Sequence, residues 1–129
     1  MVIAAQTSLD FIRNDGSLTI VTAITAHTAY PEAGALGAVN SALESMVPKL
    51  ALGLQPLRVN AVAPGVIVTP WWNNLPDQAR EERFSQLTAT TPVKRIGRPD
   101  DVAQVITMFI SNTFLTGVIV DCDGGMHLK

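Results

Sequence analysis

The chain contains 129 residues, of which 47% are hydrophobic, and its 9 basic and 11 acidic side chains give a net charge of -2. We expect a single domain over residues 1–129, and the weak negative charge argues against a nucleic-acid binder, which needs clustered lysine and arginine. A single cysteine, Cys122, excludes an internal disulfide framework. With no secretory leader and no apolar run of roughly eighteen residues, we expect a cytoplasmic protein without a membrane span.

Segments with helical periodicity alternate with short strand-like segments. Apolar spacing predicts a helix over Val2–Asn14, and the β-branched run Leu18–Ile24 predicts a largely buried strand. The longest helix is predicted over Glu32–Leu54, where a row of small residues beside the apolar stripe would let another helix approach closely. Pro48 lies inside this helix and is expected to kink it.

Two more strands and two more helices follow. Leu57–Ala63 and Gly117–Asp121 are predicted strands, Pro76–Leu87 is a predicted polar helix, and Pro99 begins a helix with two acids in its first turn. Helices that alternate with short apolar strands imply parallel connections in an α/β fold. Three visible strands with flanking helices amount to about half of a doubly wound parallel sheet, which usually has six strands.

The order of several short motifs resembles one protein family. The motifs are RVNAVAPG at 58–65 followed by Thr69-Pro70, RIGRPDDVA at 95–103, and Asp123-Gly124-Gly125. Together they resemble the C-terminal half of a short-chain dehydrogenase/reductase, over nearly the whole chain. The resemblance implies part of a Rossmann-type sheet and hydride transfer between NAD(P) and an alcohol or carbonyl. It also implies that the preceding strands and their glycine-rich phosphate loop are missing, and the nine glycines here contain no G-x-G pair.

The resemblance places the catalytic tyrosine, lysine and serine of the family at Leu36, Asn40 and Ala23. In the family the lysine lowers the pKa of the tyrosine so that the phenol can exchange a proton. Leucine has no such proton and asparagine has no charge, while a one-residue slip would offer Thr22 for the serine. We therefore expect a truncated homologue that cannot transfer hydride on its own and binds NAD(P) weakly or not at all.

Other residues carry alternatives that the sequence leaves open. Pro64, Gly65, Ile67 and Thr69 match the family segment that faces the nicotinamide, but they could equally end a strand and turn the chain. The Trp71-Trp72 pair lies in the loop that forms the substrate lid in the family, where it could stack on a substrate or cover an edge of the core.

Reactive side chains at two places in the sequence are candidate sites. His27 follows a predicted strand and could act as a general base, although a partly exposed loop histidine is the commoner case. Cys122, Asp123 and His127 lie on one short turn, but their spacing and number fall short of a zinc site, so no metal is expected.

Two other functions compete with the degenerate oxidoreductase. One is a non-catalytic dimerising module that pairs through the helices at Val2–Asn14 and Glu32–Leu54. The other is a divergent enzyme, such as a hydrolase, that uses His27 or Cys122 on a small molecule in the inherited cleft. The strand Leu18–Ile24 would have a bare edge, so we expect a second copy or a missing N-terminal half in another polypeptide to cover it.

Overall fold

Three parallel strands form one sheet in the computed structural model, which describes residues 6–128. They are β1 (Ser17–Val21), β2 (Arg58–Pro64) and β3 (Ile119–Cys122), in the order β1-β2-β3. The register aligns Ser17 with Arg58 and Ala61 with Ile119. The α/β fold with three parallel strands is therefore confirmed.

Three helices flank the sheet: α1 (Gly34–Gly53), α2 (Asp77–Thr90) and α3 (Pro99–Ser111). Short 3-10 turns lie at Ile24–Ala26, Pro31–Ala33, Pro70–Asn74 and Met126–Leu128. Helix α1 runs unbroken through Pro48, so the proline does not divide it. No helix in residues 6–128 combines the length and the apolar character needed to cross a bilayer.

Several predicted boundaries move by a few residues. The first strand ends at Val21 instead of Ile24, because the N–H groups of Ala26 and His27 bond back into a 3-10 turn. The third strand begins at Ile119, since Gly117 has a φ of +74° and belongs to the preceding turn.

The predicted first helix lies partly outside the described residues. Its start falls before residue 6, residues 6–8 are helical, and turns follow instead of a helix that continues to Asn14. One of these turns is closed by a hydrogen bond of 2.8 Å from the Gly16 N–H to the Arg13 carbonyl, which a longer helix would not allow.

The core lies between β2 and α1. The core cluster comprises Ile20, Val47, Ala51, Val59 and Ala61. Because β2 is the central strand and is covered on both faces, its residues 59–63 are all buried. This explains why the RVNAVAP segment reads as an almost continuous apolar run.

The two polar residues of that motif tie β2 to its neighbours. Arg58 donates to the carbonyls of Phe109, Ile110 and Asn112 at the C-terminal end of α3, where a cation also complements the helix dipole. Asn60 is fully buried; its amide donates to the Leu115 carbonyl at 3.0 Å and its oxygen accepts from the Val118 N–H at 3.1 Å. Both side chains therefore fix the segment that leads from α3 into β3.

The other end of α3 is fixed by Asp101. Its carboxylate accepts two hydrogen bonds from Arg95, at 2.7 and 2.8 Å, and one from the Arg98 N–H at 2.7 Å. The Arg95 hydrogen bonds are the main reason that the pKa of Asp101 lies far below its usual range, and the Arg98 N–H adds to the effect. The RIGRPDD motif thus builds the beginning of a helix.

Helix α1 approaches the 3-10 turn after β1 closely at one glycine. A Cβ added at Gly37 would lie 2.7 Å from the Thr25 carbonyl oxygen, whereas one added at Gly34 would meet nothing within 4 Å. The small residues of α1 therefore accommodate a turn of the backbone at this point, where the sequence had suggested another helix.

We predict that Gly37→Ala lowers the free energy of unfolding and that Gly34→Ala, the matched control in the same helix, does not. The clash at Gly37 costs roughly 1–3 kcal/mol, which outweighs a gain in helix propensity of up to about 1 kcal/mol. Urea denaturation of the two variants measures the difference, and equal stability would show that the approach to Thr25 is looser than described.

Candidate functional site

The candidate site lies at the carboxyl ends of the three strands. The chain leaves β1 into the 3-10 turn at Ile24–Ala26, leaves β2 into the loop at 65–69, and leaves β3 into the turn at 123–125. Parallel α/β sheets bind their ligands at this edge.

Leu36 and Asn40 occupy one face of α1, one turn apart. The Leu36 side chain is mostly exposed, at 62%. The Asn40 amide donates to the Thr25 hydroxyl at 3.0 Å and to the Leu36 carbonyl at 2.9 Å. The position that the resemblance assigns to lysine is thus filled by a neutral donor with two partners inside the chain.

The two candidates for the serine position lie side by side at the end of β1. Ala23 precedes the 3-10 turn and presents only a methyl group. Thr22 is buried, and its hydroxyl lies 2.7 Å from Glu44 Oε1 and 3.2 Å from the Val62 carbonyl. Its hydroxyl is therefore engaged between the sheet and α1.

His27 bridges two carboxylates at this edge. Its Nδ1 lies 2.6 Å from Asp121 Oδ1, and its Nε2 lies 2.6 Å from Glu44 Oε2. A neutral imidazole has one N–H, so only the doubly protonated ring donates to both carboxylates. We call the group Glu44, His27 and Asp121 the His27 bridge.

The charges of the bridge set the protonation of His27. Burial by itself lowers the pKa of His27, but the hydrogen bond to Asp121 and the negative charges of Glu44 and Asp121 outweigh it, so the pKa is raised above its ordinary value of 6.5. Glu44 is only 5% exposed, and a buried carboxylate is tolerated when it is paired. The imidazolium supplies that pairing.

Sequence reasoning named His27 and missed both of its partners. One feature of the sequence could have indicated Glu44: it is a charged residue among the apolar positions of α1, next to Leu43 and close to Met46 and Val47. Asp121 gave a weaker signal as an acid at the end of a strand. Only the fold brings residues 27, 44 and 121 together.

A cavity of about 390 Å³ lies beside the bridge, at the carboxyl end of β3. Asp121, Asp123 and His127 form part of its wall. Nδ1 of His127 lies 2.9 Å from Asp123 Oδ2 and 3.8 Å from Asp121 Oδ2. Asp123 also accepts hydrogen bonds from the backbone N–H groups of Gly125 and His127, at 2.8 and 2.7 Å.

These contacts determine the ionisation of Asp123. Burial alone raises its pKa, but the hydrogen bonds from His127 and from the backbone outweigh burial, and the pKa of Asp123 is lowered. Cys122 lines the same cavity, and burial raises the pKa of its thiol. Within residues 6–128, no three His, Cys, Asp or Glu side chains are placed to hold a metal ion.

The four residues assigned to cofactor contact have structural contacts of their own. Pro64 is the last residue of β2 and pairs with Cys122. A Cβ at Gly65 would lie 2.8 Å from both Cα and Cβ of Asp123, so glycine is required for this close approach. Ile67 lines the cavity, and the Thr69 carbonyl accepts the Trp72 N–H in the 3-10 turn at Pro70–Asn74.

The two tryptophans differ in their surroundings. The Trp72 indole N–H donates to the Ile67 carbonyl at 2.9 Å, and its ring packs edge-on against Phe84 of α2, with centroids 5.1 Å apart. Trp71 contacts the Trp72 ring but remains 68% exposed. Trp72 therefore attaches α2 to the loop, and Trp71 is left at the surface.

Known proteins are similar to this chain in sequence and in fold. The family model described as enoyl-(acyl carrier protein) reductase matches residues 1–127. The short-chain dehydrogenase/reductase homolog YusR of Bacillus subtilis is 31% identical, over 99% of this chain and 98% of YusR. Protein FixR of Bradyrhizobium diazoefficiens is 35% identical over 98% of this chain. A solved small-chain dehydrogenase in complex with NADPH is 28% identical, with a TM-score of 0.95 over 99% of this chain.

The length of these relatives varies. The chain spans 45% of FixR and 58% of the NADPH-bound dehydrogenase, but nearly all of YusR. The motifs, the parallel sheet and the family match along nearly the whole sequence lead to one conclusion: the chain belongs to the short-chain dehydrogenase/reductase family.

Proposed function

We propose that this chain is a short-chain dehydrogenase/reductase homologue that does not transfer hydride by itself and acts as a partner subunit. The proposal that the chain does not transfer hydride by itself rests on the chemistry of Leu36 and Asn40 on α1. The spacing of one helical turn is kept, but neither side chain can supply a proton or a positive charge.

Both the general acid of the family, a tyrosine, and the lysine that activates it are replaced in this chain, at Leu36 and Asn40. A positioned acid/base contributes roughly 100- to 10,000-fold in rate. Leu36 has no titratable group, and both amide hydrogens of Asn40 have partners in Thr25 and Leu36. Neither position can therefore protonate a carbonyl or depress the pKa of a neighbouring group.

The described residues fit only part of a dinucleotide. The loop after β2 could form a wall beside the nicotinamide, as the resemblance implies for Pro64, Gly65, Ile67 and Thr69. The ribose would meet the neutral Asn40 amide instead of an ammonium group, and the 129 residues contain no G-x-G turn whose N–H groups could hold the pyrophosphate. Such a partial fit supports weak or absent NAD(P) binding by the chain alone.

The His27 bridge argues against His27 as the base of a divergent hydrolase. A general base needs a free nitrogen within reach of the substrate. Both nitrogens of His27 lie 2.6 Å from carboxylate oxygens, and these carboxylates raise the pKa of the ring, so neither nitrogen is free to take a proton from a substrate. We assign His27 the structural task of pairing Glu44 and Asp121.

The free edge of β1 supports the partner role. Strand β1 is at one end of the sheet order, and no strand in residues 6–128 pairs with its outer side. Val21, its last residue, is 48% exposed, although strand residues of this type normally pack against neighbours. Since bare strand edges invite pairing, we propose that a strand from a second copy or from another polypeptide covers this edge.

We predict that, with aldehyde or ketone substrates, the purified chain oxidises NADPH no faster than the Asn40→Ala variant does. The reason is that the Asn40 amide carries no charge that the substitution could remove. The fluorescence titration with NADPH should give a Kd weaker than about 1 mM, or less than about 4 kcal/mol of binding free energy. Ser45→Ala, an exposed position on the same helix, is the control. A rate that Asn40→Ala abolishes and Ser45→Ala preserves would contradict the proposal.

We also predict that the chain associates in solution and that Val21→Lys weakens the association at least tenfold, because a lysine at the edge opposes strand pairing. Val21→Thr keeps the β-branched shape and should associate like the unchanged chain. Light scattering coupled to size exclusion, with and without candidate partners, measures this. Association that is insensitive to Val21→Lys would place the interface elsewhere.

A further inference from the structure

The second histidine of the edge, His127, differs from His27 in that only one of its ring nitrogens has a hydrogen-bond partner among residues 6–128. Its Nδ1 is held by Asp123 Oδ2 at 2.9 Å. Within residues 6–128, no group hydrogen-bonds its other ring nitrogen, Nε2. The His127 side chain is 33% exposed and lines the cavity at the end of β3.

Asp123 is well placed to fix the tautomer of His127. Its side chain is only 2% exposed, its pKa is lowered, and its two oxygens are aligned by the N–H groups of Gly125 and His127. An ionised carboxylate at Nδ1 keeps the proton of a neutral imidazole on Nδ1. In that tautomer of the neutral ring, Nε2 of His127 is a hydrogen-bond acceptor.

The rest of the cavity wall limits what can bind. Its apolar side chains are Val66, Ile67, Val93, Ile96 and Met126. Arg95 also lines the cavity, but its two terminal guanidinium nitrogens donate hydrogen bonds to the Asp101 carboxylate, at 2.7 and 2.8 Å. The carboxylates of the wall belong to Asp101, which is paired with Arg95, and to Asp121 and Asp123, so the surroundings disfavour an anion.

We propose that this cavity binds a small, mostly apolar molecule with one hydrogen-bond donor, either a hydroxyl or an ammonium group, and that His127 Nε2 accepts its hydrogen bond. The volume of about 390 Å³ lies in the range of small-molecule sites, in which apolar walls surround a few placed polar groups. The site is independent of Leu36 and Asn40, so it stands whether or not the chain transfers hydride.

Four probes of one shape test the proposal on the full chain: cyclohexanol, cyclohexylamine, methoxycyclohexane and cyclohexanecarboxylate. Binding is followed by NMR shifts of the Met126 methyl group, which lines the cavity. The alcohol and the ammonium should bind about threefold to tenfold more tightly than the ether, which lacks a donor, and the carboxylate should bind most weakly. The alcohol and ammonium arms distinguish a neutral from a cationic ligand.

His127→Phe keeps a ring in the wall and removes Nε2, so the preference for alcohol over ether should disappear. Gln104→Ala, which changes an exposed residue of the same wall, should preserve it. If His127→Phe does not fold, the comparison of the probes on the unchanged chain still decides. The proposal is overturned if alcohol and ether bind equally, if the carboxylate binds best, if no probe binds, or if the preference survives in His127→Phe.

Discussion

One imidazole shared by two carboxylates holds the carboxyl edge of this sheet together. Glu44 is buried in α1 and requires a cation, and His27 is the group that reaches it. The same ring binds Asp121, while the other oxygen of Glu44 contacts Thr22 at the end of β1. The bridge therefore joins the turn after β1, helix α1 and strand β3, three parts of the chain that are distant in sequence.

This arrangement lies in the region where the family resemblance places the groups for hydride transfer. The turn that carries His27 approaches α1 at Gly37 and accepts the Asn40 amide at Thr25. The side chains of Thr22, His27, Asn40 and Glu44 on this side of the site are therefore hydrogen-bonded within the chain. A network of paired polar groups rigidifies a fold, and it leaves few of its donors and acceptors for a substrate.

The sequence predicted the strands and the family well because these depend on local patterns. The apolar run of β2, the proline and acids at the start of α3 and the order of the motifs are visible in consecutive residues. The roles of Arg58 and Asn60 were not, since their partners are some fifty residues away along the chain. The end of the first helix was predicted too late, because apolar spacing continued through residues that form turns.

For the same reason, the sequence predicted only part of the candidate site. His27 attracted notice as a histidine after a strand, but periodicity does not show that Glu44 and Asp121 face it from two other elements. The contrast with His127, whose Nε2 has no hydrogen-bond partner in the described part of the chain, also depends on distances that spacing alone does not give. The pairing of side chains across the carboxyl edge depends on the topology, so it can be derived only when the order of the strands in the sheet is known.

The most direct test of the bridge is an NMR titration of the imidazole nitrogens of His27 in the unchanged chain. We expect a titration midpoint above the ordinary value of 6.5, with both nitrogens protonated below that midpoint, because each proton is donated to a carboxylate. His27→Asn identifies the signals. A midpoint at or below 6.5, with one nitrogen unprotonated above it, would contradict the account and return this residue to the candidates for a general base.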